Sequence, residues 1–109
     1  MDILEKPLQF PFKRKSEAES FLKELRDEAY KYDVVTINDV LLIRGERSIP
    51  EGYKYGYHRD ELKKLKAKPG MEGWTVELPL PGRMIRDRNG YWTTENILKM
   101  EELQSGGDG

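Results

Sequence analysis

The amino-acid sequence predicts one small α+β domain, in which an N-terminal pair of helices packs on a short antiparallel sheet or hairpin and a further helix follows at the C-terminus. The chain has 109 residues, which allows a single domain. One early segment has the apolar spacing of a helix, and later segments alternate as strands do. We assign residues 1–104 to this domain and residues 105–109, a run of Ser, Gly and Asp, to a flexible tail.

The first predicted element is a short strand at residues 8–12. Apolar side chains alternate with others there, and Phe10 and Phe12 fall in one register. Pro11 has no backbone N–H to donate to a neighbouring strand, so it predicts a position at the edge of a sheet. An open edge of this kind is also one place where two copies of the chain would pair.

The second predicted element is a helix over about residues 17–32. Its apolar positions recur every three or four residues and form one face. They are Ala18, Phe21, Leu22, Leu25, Ala29 and Tyr32. Ser16 followed by Glu19 has the pattern of a capping box and predicts the start of the helix. The acidic residues of this segment lack the spacing of a calcium loop, so we interpret them as a solvated face.

Residues 34–43 fit either a strand or a helix. Their β-branched side chains favour a strand. Thr36 and Asp39, however, have the spacing of a helix cap, and Gly45 follows the last apolar residue, where helices commonly end. We predict a short helix at about 37–44 behind a buried pair of valines, with the strand as the alternative.

The second half of the chain is predicted to consist of a loop and a hairpin. Residues 46–58 contain one proline and two glycines and therefore predict a loop. Residues 62–68 and 73–79 each alternate apolar and polar side chains and are separated by turn-forming residues. Together they predict a β-hairpin with one charged, solvated face.

The C-terminal part is predicted to contain a short strand, a turn and a helix. The strand lies at residues 84–85, and Asp-Arg-Asn-Gly at 87–90 is a strong turn sequence. Thr93 or Thr94 then predicts the cap of a helix that runs to about Gln104.

Composition excludes several classes of protein and site. The sequence has no cysteine, which excludes a disulfide scaffold, an iron–sulfur cluster, a Cys-ligated zinc and a thiol nucleophile. The formal net charge of −1 excludes polyanion binding driven by overall charge. The N-terminal residues carry charge where a signal peptide needs an apolar run, and the longest apolar stretch is Val40–Ile43. We therefore expect a soluble, intracellular protein with no membrane partner.

Catalytic and metal motifs are weak. The single histidine, His58, lies beside Arg59 and Asp60 and would suit a small acid–base site. We favour an exposed loop histidine, because a catalytic site needs an oriented partner and a pocket. Glycine-rich phosphate loops and the Gly-x-Ser-x-Gly motif are absent from the sequence. We predict that the chain is not an enzyme and holds no metal or cofactor.

A tyrosine-rich loop is the leading candidate for a contact surface. Tyrosine offers a large area at low entropic cost and a hydrogen-bonding tip. The predicted partner-binding residues are Tyr53, Tyr55, Tyr57, His58 and Arg59. Alternatively, the three tyrosines attach the loop to the core.

A locally basic segment gives a second candidate. Residues 54–88 contain nine basic and five acidic side chains, whereas residues 91–109 contain one basic and four acidic ones. Basic groups beside aromatic ones suit single-stranded nucleic acid. The residues predicted to bind it are Lys63, Lys64, Lys66 and Lys68. A lysine-rich edge strand that blocks aggregation is the alternative interpretation.

Several segments together resemble small uncharacterised proteins encoded by phages and prophages of Gram-positive bacteria. These are Val-Thr-Ile-Asn-Asp-Val at 35–40, Gly45, Lys-Tyr-Gly-Tyr at 54–57 and the strand at 73–79 that ends in Leu-Pro, and the resemblance covers about residues 16–81. It implies a phage accessory or virion-associated protein, in the host cytoplasm or the virion, and assigns a function to no residue. We predict a non-enzymatic protein that binds a phage or host protein or a second copy of itself, with nucleic acid as the alternative partner.

Overall fold

The computed structural model describes residues 7–95 and shows a small α+β domain with two antiparallel sheets, as the sequence predicts at this level. The elements in chain order are β1 (Leu8–Phe12), α1 (Lys15–Tyr32), β2 (Val34–Thr36), α2 (Ile37–Arg44), β3 (Tyr55–His58), α3 (Arg59–Lys63), β4 (Lys68–Pro69), β5 (Trp74–Leu78), β6 (Gly82–Arg86) and β7 (Trp92–Glu95). The first sheet has the strand order β1-β5-β4 and the second β2-β3-β6-β7. Within the described range, no helix is both long and apolar enough to cross a membrane.

Helix α1 provides the centre of the core and contacts both sheets. Its apolar face is buried as the spacing predicts, and Tyr32, at the end of the helix, is exposed. The Phe21 ring lies 5.2 Å from that of Phe10 and 5.3 Å from that of Phe12. The predicted strand at residues 8–12 is confirmed as β1, and it lies at the edge of its sheet as Pro11 predicts.

The capping box predicted for α1 is wrong. The helix starts at Lys15, with Arg14 as its N-cap, and no side chain caps it. Ser16 therefore lies inside the first turn rather than before it. The carboxylate of Glu19, which the box would need, lies 3.7 Å from the Lys15 ammonium instead.

The helix predicted at 37–44 is confirmed as α2. Thr36 Oγ1 accepts from the Asp39 N–H at 3.1 Å, and Asp39 Oδ2 accepts from the Thr36 N–H at 2.9 Å. Gly45, at φ 90°, ends the helix. The strand alternative is right only for the residues directly before α2, which form β2 and pair with β3.

The prediction of a loop through residue 58 is wrong, because residues 55–58 form strand β3. Gly56 looked like a breaker in the sequence, but a side chain there would come within 2.0 Å of the Val35 carbonyl oxygen. The close approach of β2 to β3 therefore requires glycine at this position.

The hairpin prediction is right for β5 and largely wrong for residues 62–68. The helix α3 takes up residues 59–63, leaving only Lys68–Pro69 as a strand beside β5. A capping box starts α3: His58 Nδ1 accepts from the Asp60 N–H at 3.2 Å, and Glu61 Oε1 accepts from the His58 N–H at 3.0 Å. Leu62 is fully buried, and the Arg26 side chain donates to the backbone carbonyls at the end of α3.

The turn at 87–90 is confirmed, whereas the helix predicted from Thr93 or Thr94 does not start there. Asp87 Oδ1 accepts from two backbone N–H groups of the turn, and Gly90 has the positive φ of 83° that the turn requires. The chain then returns antiparallel to β6, so both threonines lie in β7. The rest of that predicted helix, and the predicted tail at 105–109, lie outside the described residues.

Candidate functional site

Three shallow clefts meet at Arg44, the last residue of α2. They have volumes of about 530, 330 and 600 Å³ and lie between β1, the end of α2, the start of α1 and the β4–β5 turn. We call their combined area the Arg44 surface and define it by Leu8, Pro11, Phe12, Arg44, Met71 and Trp74; Arg44 lines all three clefts. It is an extended concave area in the described part of the molecule.

The Arg44 side chain is held in place from two sides. Its guanidinium carbon lies 4.6 Å from the centroid of the Phe12 ring, and its Nη2 donates to the Pro11 carbonyl oxygen at 2.9 Å. Among residues 7–95, Arg44 forms no ion pair with a carboxylate. A guanidinium has five N–H donors, so most of its hydrogen-bonding capacity is left for a ligand.

Apolar and aromatic side chains line the surface beside Arg44, together with the carboxylates of Glu17, Glu46 and Glu72 at its margins. Phe12 and Trp74 pair across β1 and β5, and the Lys15 ammonium lies 5.3 Å from the centroid of the Trp74 ring. Phe12 is also fixed from below by Phe21. Met71 is fully exposed in the β4–β5 turn. Arginine, methionine and aromatic side chains are the residues enriched at the centres of protein interfaces.

One edge of β1 has no strand beside it among the described residues. The Pro11 carbonyl turns towards Arg44, so the backbone of Pro11 faces away from β5, and strand alternation puts Pro7 and Gln9 on the same side. Both prolines lack an N–H, so Gln9 supplies the backbone donor of this edge. This edge of β1 can therefore pair with another strand over a short stretch but not over its full length.

The structure separates the five residues of the predicted tyrosine surface. Tyr53 is 61% exposed, Tyr55 is half-buried and Tyr57 is completely buried in the core. The His58 imidazole caps α3, and the Arg59 guanidinium lies 3.1 Å from the Asp33 carboxylate. The alternative interpretation, that the tyrosines attach this segment to the core, therefore applies to Tyr57.

The hydroxyl of Tyr57 is an unusual feature of the core. It is buried and has no hydrogen-bond partner among the described residues. Burial, with a smaller contribution from the Glu61 carboxylate, raises the pKa of Tyr57 above its ordinary value of 10.0. The Glu61 carboxylate itself accepts from the Thr94 hydroxyl at 3.0 Å and from the His58 N–H. No cleft described above reaches this hydroxyl.

The four lysines of the predicted nucleic-acid surface are exposed, but they do not share the face of a strand. Lys63 ends α3 and its ammonium lies 3.7 Å from the Asp60 carboxylate. Lys64 is the C-cap of α3, Lys66 lies in the following loop and Lys68 belongs to β4.

His58 is not the exposed loop histidine expected from the sequence, because it ends β3, and it lines a shallow cleft of about 360 Å³ together with Asp60 and Glu61. His58 is a half-buried capping residue whose Nδ1 already accepts a backbone N–H, and the nearest carboxylate, that of Asp60, lies 3.4 Å from it. In the range from residue 7 to residue 95, no three His, Asp or Glu side chains cluster as metal ligands do.

The sequence reasoning missed Arg44 as a site residue, since the Pro11 carbonyl to which it donates lies 33 positions away. The chain matches no protein-family model, no curated protein and no solved structure.

Proposed function

We propose that this chain is a non-enzymatic protein-binding module, and that the Arg44 surface binds an extended segment of a partner protein. The observation that carries the proposal is the position of Arg44, which is fixed on Phe12, forms no ion pair in the described range and lies where three clefts of mixed apolar and acidic lining meet. The segment places an acidic side chain on Arg44 and an aromatic or aliphatic side chain beside Trp74 and Met71.

The pre-ordered geometry of Arg44 supports this assignment. A planar guanidinium recognises a carboxylate through two parallel hydrogen bonds. Because Phe12 and the Pro11 carbonyl already restrict the side chain, a ligand pays little further conformational entropy when it binds. The open Gln9 backbone offers one short pairing to the same segment, and its neighbouring prolines limit how far the pairing extends.

The engagement of His58 supports a non-enzymatic role. Its Nδ1 is occupied by the start of α3, and its nearest carboxylate belongs to the same capping turn. His58, Asp60 and Glu61 do line a shallow cleft of about 360 Å³, but the Nδ1 of His58 and the Oε1 of Glu61 are engaged in the capping box of α3. We therefore assign recognition to the Arg44 surface and no catalysis to this cleft.

The proposal is tested by selecting peptides from a random displayed library on the immobilised full chain. We expect enrichment of peptides with an acidic residue next to an apolar one. Fluorescence polarisation of a selected peptide is then compared between the natural chain and three variants. Arg44→Gln and Met71→Glu should each weaken binding by about tenfold or more, because the former removes a charged hydrogen-bond donor and the latter adds a repelling charge.

Tyr53→Ala is the matched control, because Tyr53 is exposed at the predicted tyrosine surface and lies outside the clefts. We expect this variant to bind as the natural chain does. Two results overturn the proposal: a library that yields no enriched peptide, or a peptide whose affinity depends on Tyr53 and not on Arg44.

The resemblance to phage-encoded proteins supports a partner in the virion or in the host cytoplasm. A gene position beside head or tail genes favours a virion component, and one beside lysogeny genes favours a host protein. Sedimentation of the natural chain tests the remaining candidate, a second copy of the protein.

A further inference from the structure

We propose that the hairpin formed by β6 and β7, residues 82–95, contacts single-stranded nucleic acid. We call this hairpin the arginine ribbon. The proposal concerns a different surface from the Arg44 surface and stands or falls independently of the proposed function.

The arginine ribbon extends beyond the rest of its sheet. Strand β3 pairs with β6 only at Gly82 and Arg83, and one further hydrogen bond joins the Met84 N–H to the Lys54 carbonyl at 2.8 Å. Every residue from Arg86 to Trp92 is exposed. The end of the ribbon is therefore a two-stranded projection that is accessible from both faces.

An arginine that lies over a tryptophan ring is the main feature of this projection. The Arg86 guanidinium carbon lies 4.3 Å from the centroid of the Trp92 ring, and its Nη1 donates to the Gly90 carbonyl at 2.8 Å. These two contacts hold the guanidinium over the Trp92 ring. Unpaired bases stack on aromatic rings and on guanidinium planes, so this pair offers a prepared platform for a base.

The acidic groups of the ribbon are already engaged by the ribbon itself. The Glu95 carboxylate lies 3.3 Å from the Arg83 guanidinium, and Asp87 accepts backbone hydrogen bonds inside the turn. Arg86 and Arg88 form no ion pair in the part of the chain that the structure describes. Arg88 is therefore available to contact a phosphate beside a base that stacks on Arg86.

The shape of the ribbon favours a single strand over a double helix or a protein. Tyr91 is 61% exposed and Trp92 is 39% exposed beside Arg86, and stacking on such rings requires a base that is unpaired. The tip lacks the concave apolar surface that a protein side chain would fill, and such a surface is found instead around Arg44.

The test measures the anisotropy of a labelled oligothymidine of roughly 12 nucleotides, within the usual range of site sizes, as the full chain is added. We expect binding that weakens with added salt. Arg86→Gln should reduce affinity by about tenfold through lost stacking. Arg88→Gln should reduce the slope of log K against log salt by about 0.7, the value for one phosphate contact on a single strand.

A fluorescence measurement locates the contact. The chain has two tryptophans, so Trp74→Phe leaves Trp92 as the single reporter. We expect its emission to be quenched by the oligonucleotide, and circular dichroism confirms that the variant is folded. The double variant Lys63→Gln, Lys64→Gln is the matched control for charge, since these lysines belong to the surface predicted from the sequence.

Three outcomes overturn the proposal. They are the absence of binding at low salt, affinity that depends on the two lysines but not on Arg86 and Arg88, and tighter binding to a duplex of the same length.

Discussion

The molecule contains two arginine–aromatic pairs that share local chemistry and differ in what supports them. Arg44 lies over Phe12 and donates to the Pro11 carbonyl, and Arg86 lies over Trp92 and donates to the Gly90 carbonyl. Phe12 rests on the core through Phe21 and is surrounded by clefts. Trp92 lies on a two-stranded projection whose tip is exposed throughout.

The difference lies in the surface beneath each pair, and the two proposed uses follow from it. A guanidinium fixed in a concave surface with apolar and aromatic neighbours suits a carboxylate that has an apolar residue beside it. A guanidinium on an exposed ribbon suits a flat, charged polymer that approaches from the side. The substitutions below either remove the support of one pair or compare the two directly.

Phe21→Ala should have the largest effect, because it removes the ring that supports Phe12. Phe21 is 5% exposed, and deleting a buried phenylalanine ring costs about 3–5 kcal/mol of unfolding free energy. Urea denaturation measures the loss. Tyr30→Ala, on the same helix but 79% exposed, is the control and should stay within about 0.5 kcal/mol of the natural chain. Equal losses in the two variants would contradict this account of the core.

Arg44→Ala should destabilise the chain more than Arg86→Ala. The first substitution removes a stack and a hydrogen bond beside the core, which together cost about 1–2 kcal/mol. The second also removes a stack and a hydrogen bond, but Arg86 is exposed whereas Arg44 is half-buried. Water therefore replaces the lost contacts more fully, and a loss of about 0.5–1 kcal/mol is expected. Parallel urea titrations measure both losses. The reverse order would mean that the ribbon, rather than the Arg44 surface, is tied to global stability.

Thr36→Ala tests whether the cap of α2 helps to place Arg44 at the other end of that helix. Losing the hydrogen bond to the Asp39 N–H should cost about 1 kcal/mol. Ser16→Ala is the matched control, since Ser16 does not cap α1 in the structure, and it should be nearly neutral. Thermal unfolding of both variants is the measurement. An equal drop in the melting temperature of both would indicate that Ser16 caps α1 after all, as the sequence predicts.

Tyr57→Phe should have the smallest effect at neutral pH, because the hydroxyl has no partner among the described residues. We expect the unfolding free energy to stay unchanged or to rise by up to about 1 kcal/mol. Chemical denaturation near pH 7 checks this. A loss of more than about 1 kcal/mol would show that the hydroxyl does have a partner.

The same variant has a pH signature. Burial raises the pKa of Tyr57 in the folded chain above 10.0, so the folded state keeps the proton that the unfolded state releases. The contribution of Tyr57 to the unfolding free energy is fully present below pH 10. Above pH 10 that free energy falls by about 1.4 kcal/mol per pH unit. Chemical denaturation at pH 9 and at pH 11 measures this effect. Between these pH values the unfolding free energy of Tyr57→Phe should fall by less than that of the natural chain.

Elements with strong local signals could be predicted from the sequence. The apolar face of α1, the cap of α2 and the turn before β7 are decided by residues within a few positions of one another, and the structure confirms each. Pro11 placed β1 at an edge for the same reason, since the missing N–H is a property of the residue itself.

The features that were missed depend on residues far apart in the chain. Gly56 is required by the Val35 backbone of a neighbouring strand, and nothing near it distinguishes that role from a loop. The alternation after Leu62 resembled a strand, but α3 and the burial of Leu62 under α1 decide otherwise. One usable signal was overlooked, namely Glu61 three residues after His58, which forms the capping box of α3.

The pairing of β1 with β5 also has a consequence during synthesis. Gln9 and Glu77, which hydrogen-bond across these strands, are 68 positions apart. At ribosomal rates of about 5–20 residues per second, β1 waits on the order of 3–14 s for its partner strand to be made. During that interval Phe10 and Phe12 have only the emerging α1 to cover them. Binding by a nascent-chain chaperone is therefore expected to be concentrated on the first part of the chain and to end once residue 78 has left the exit tunnel.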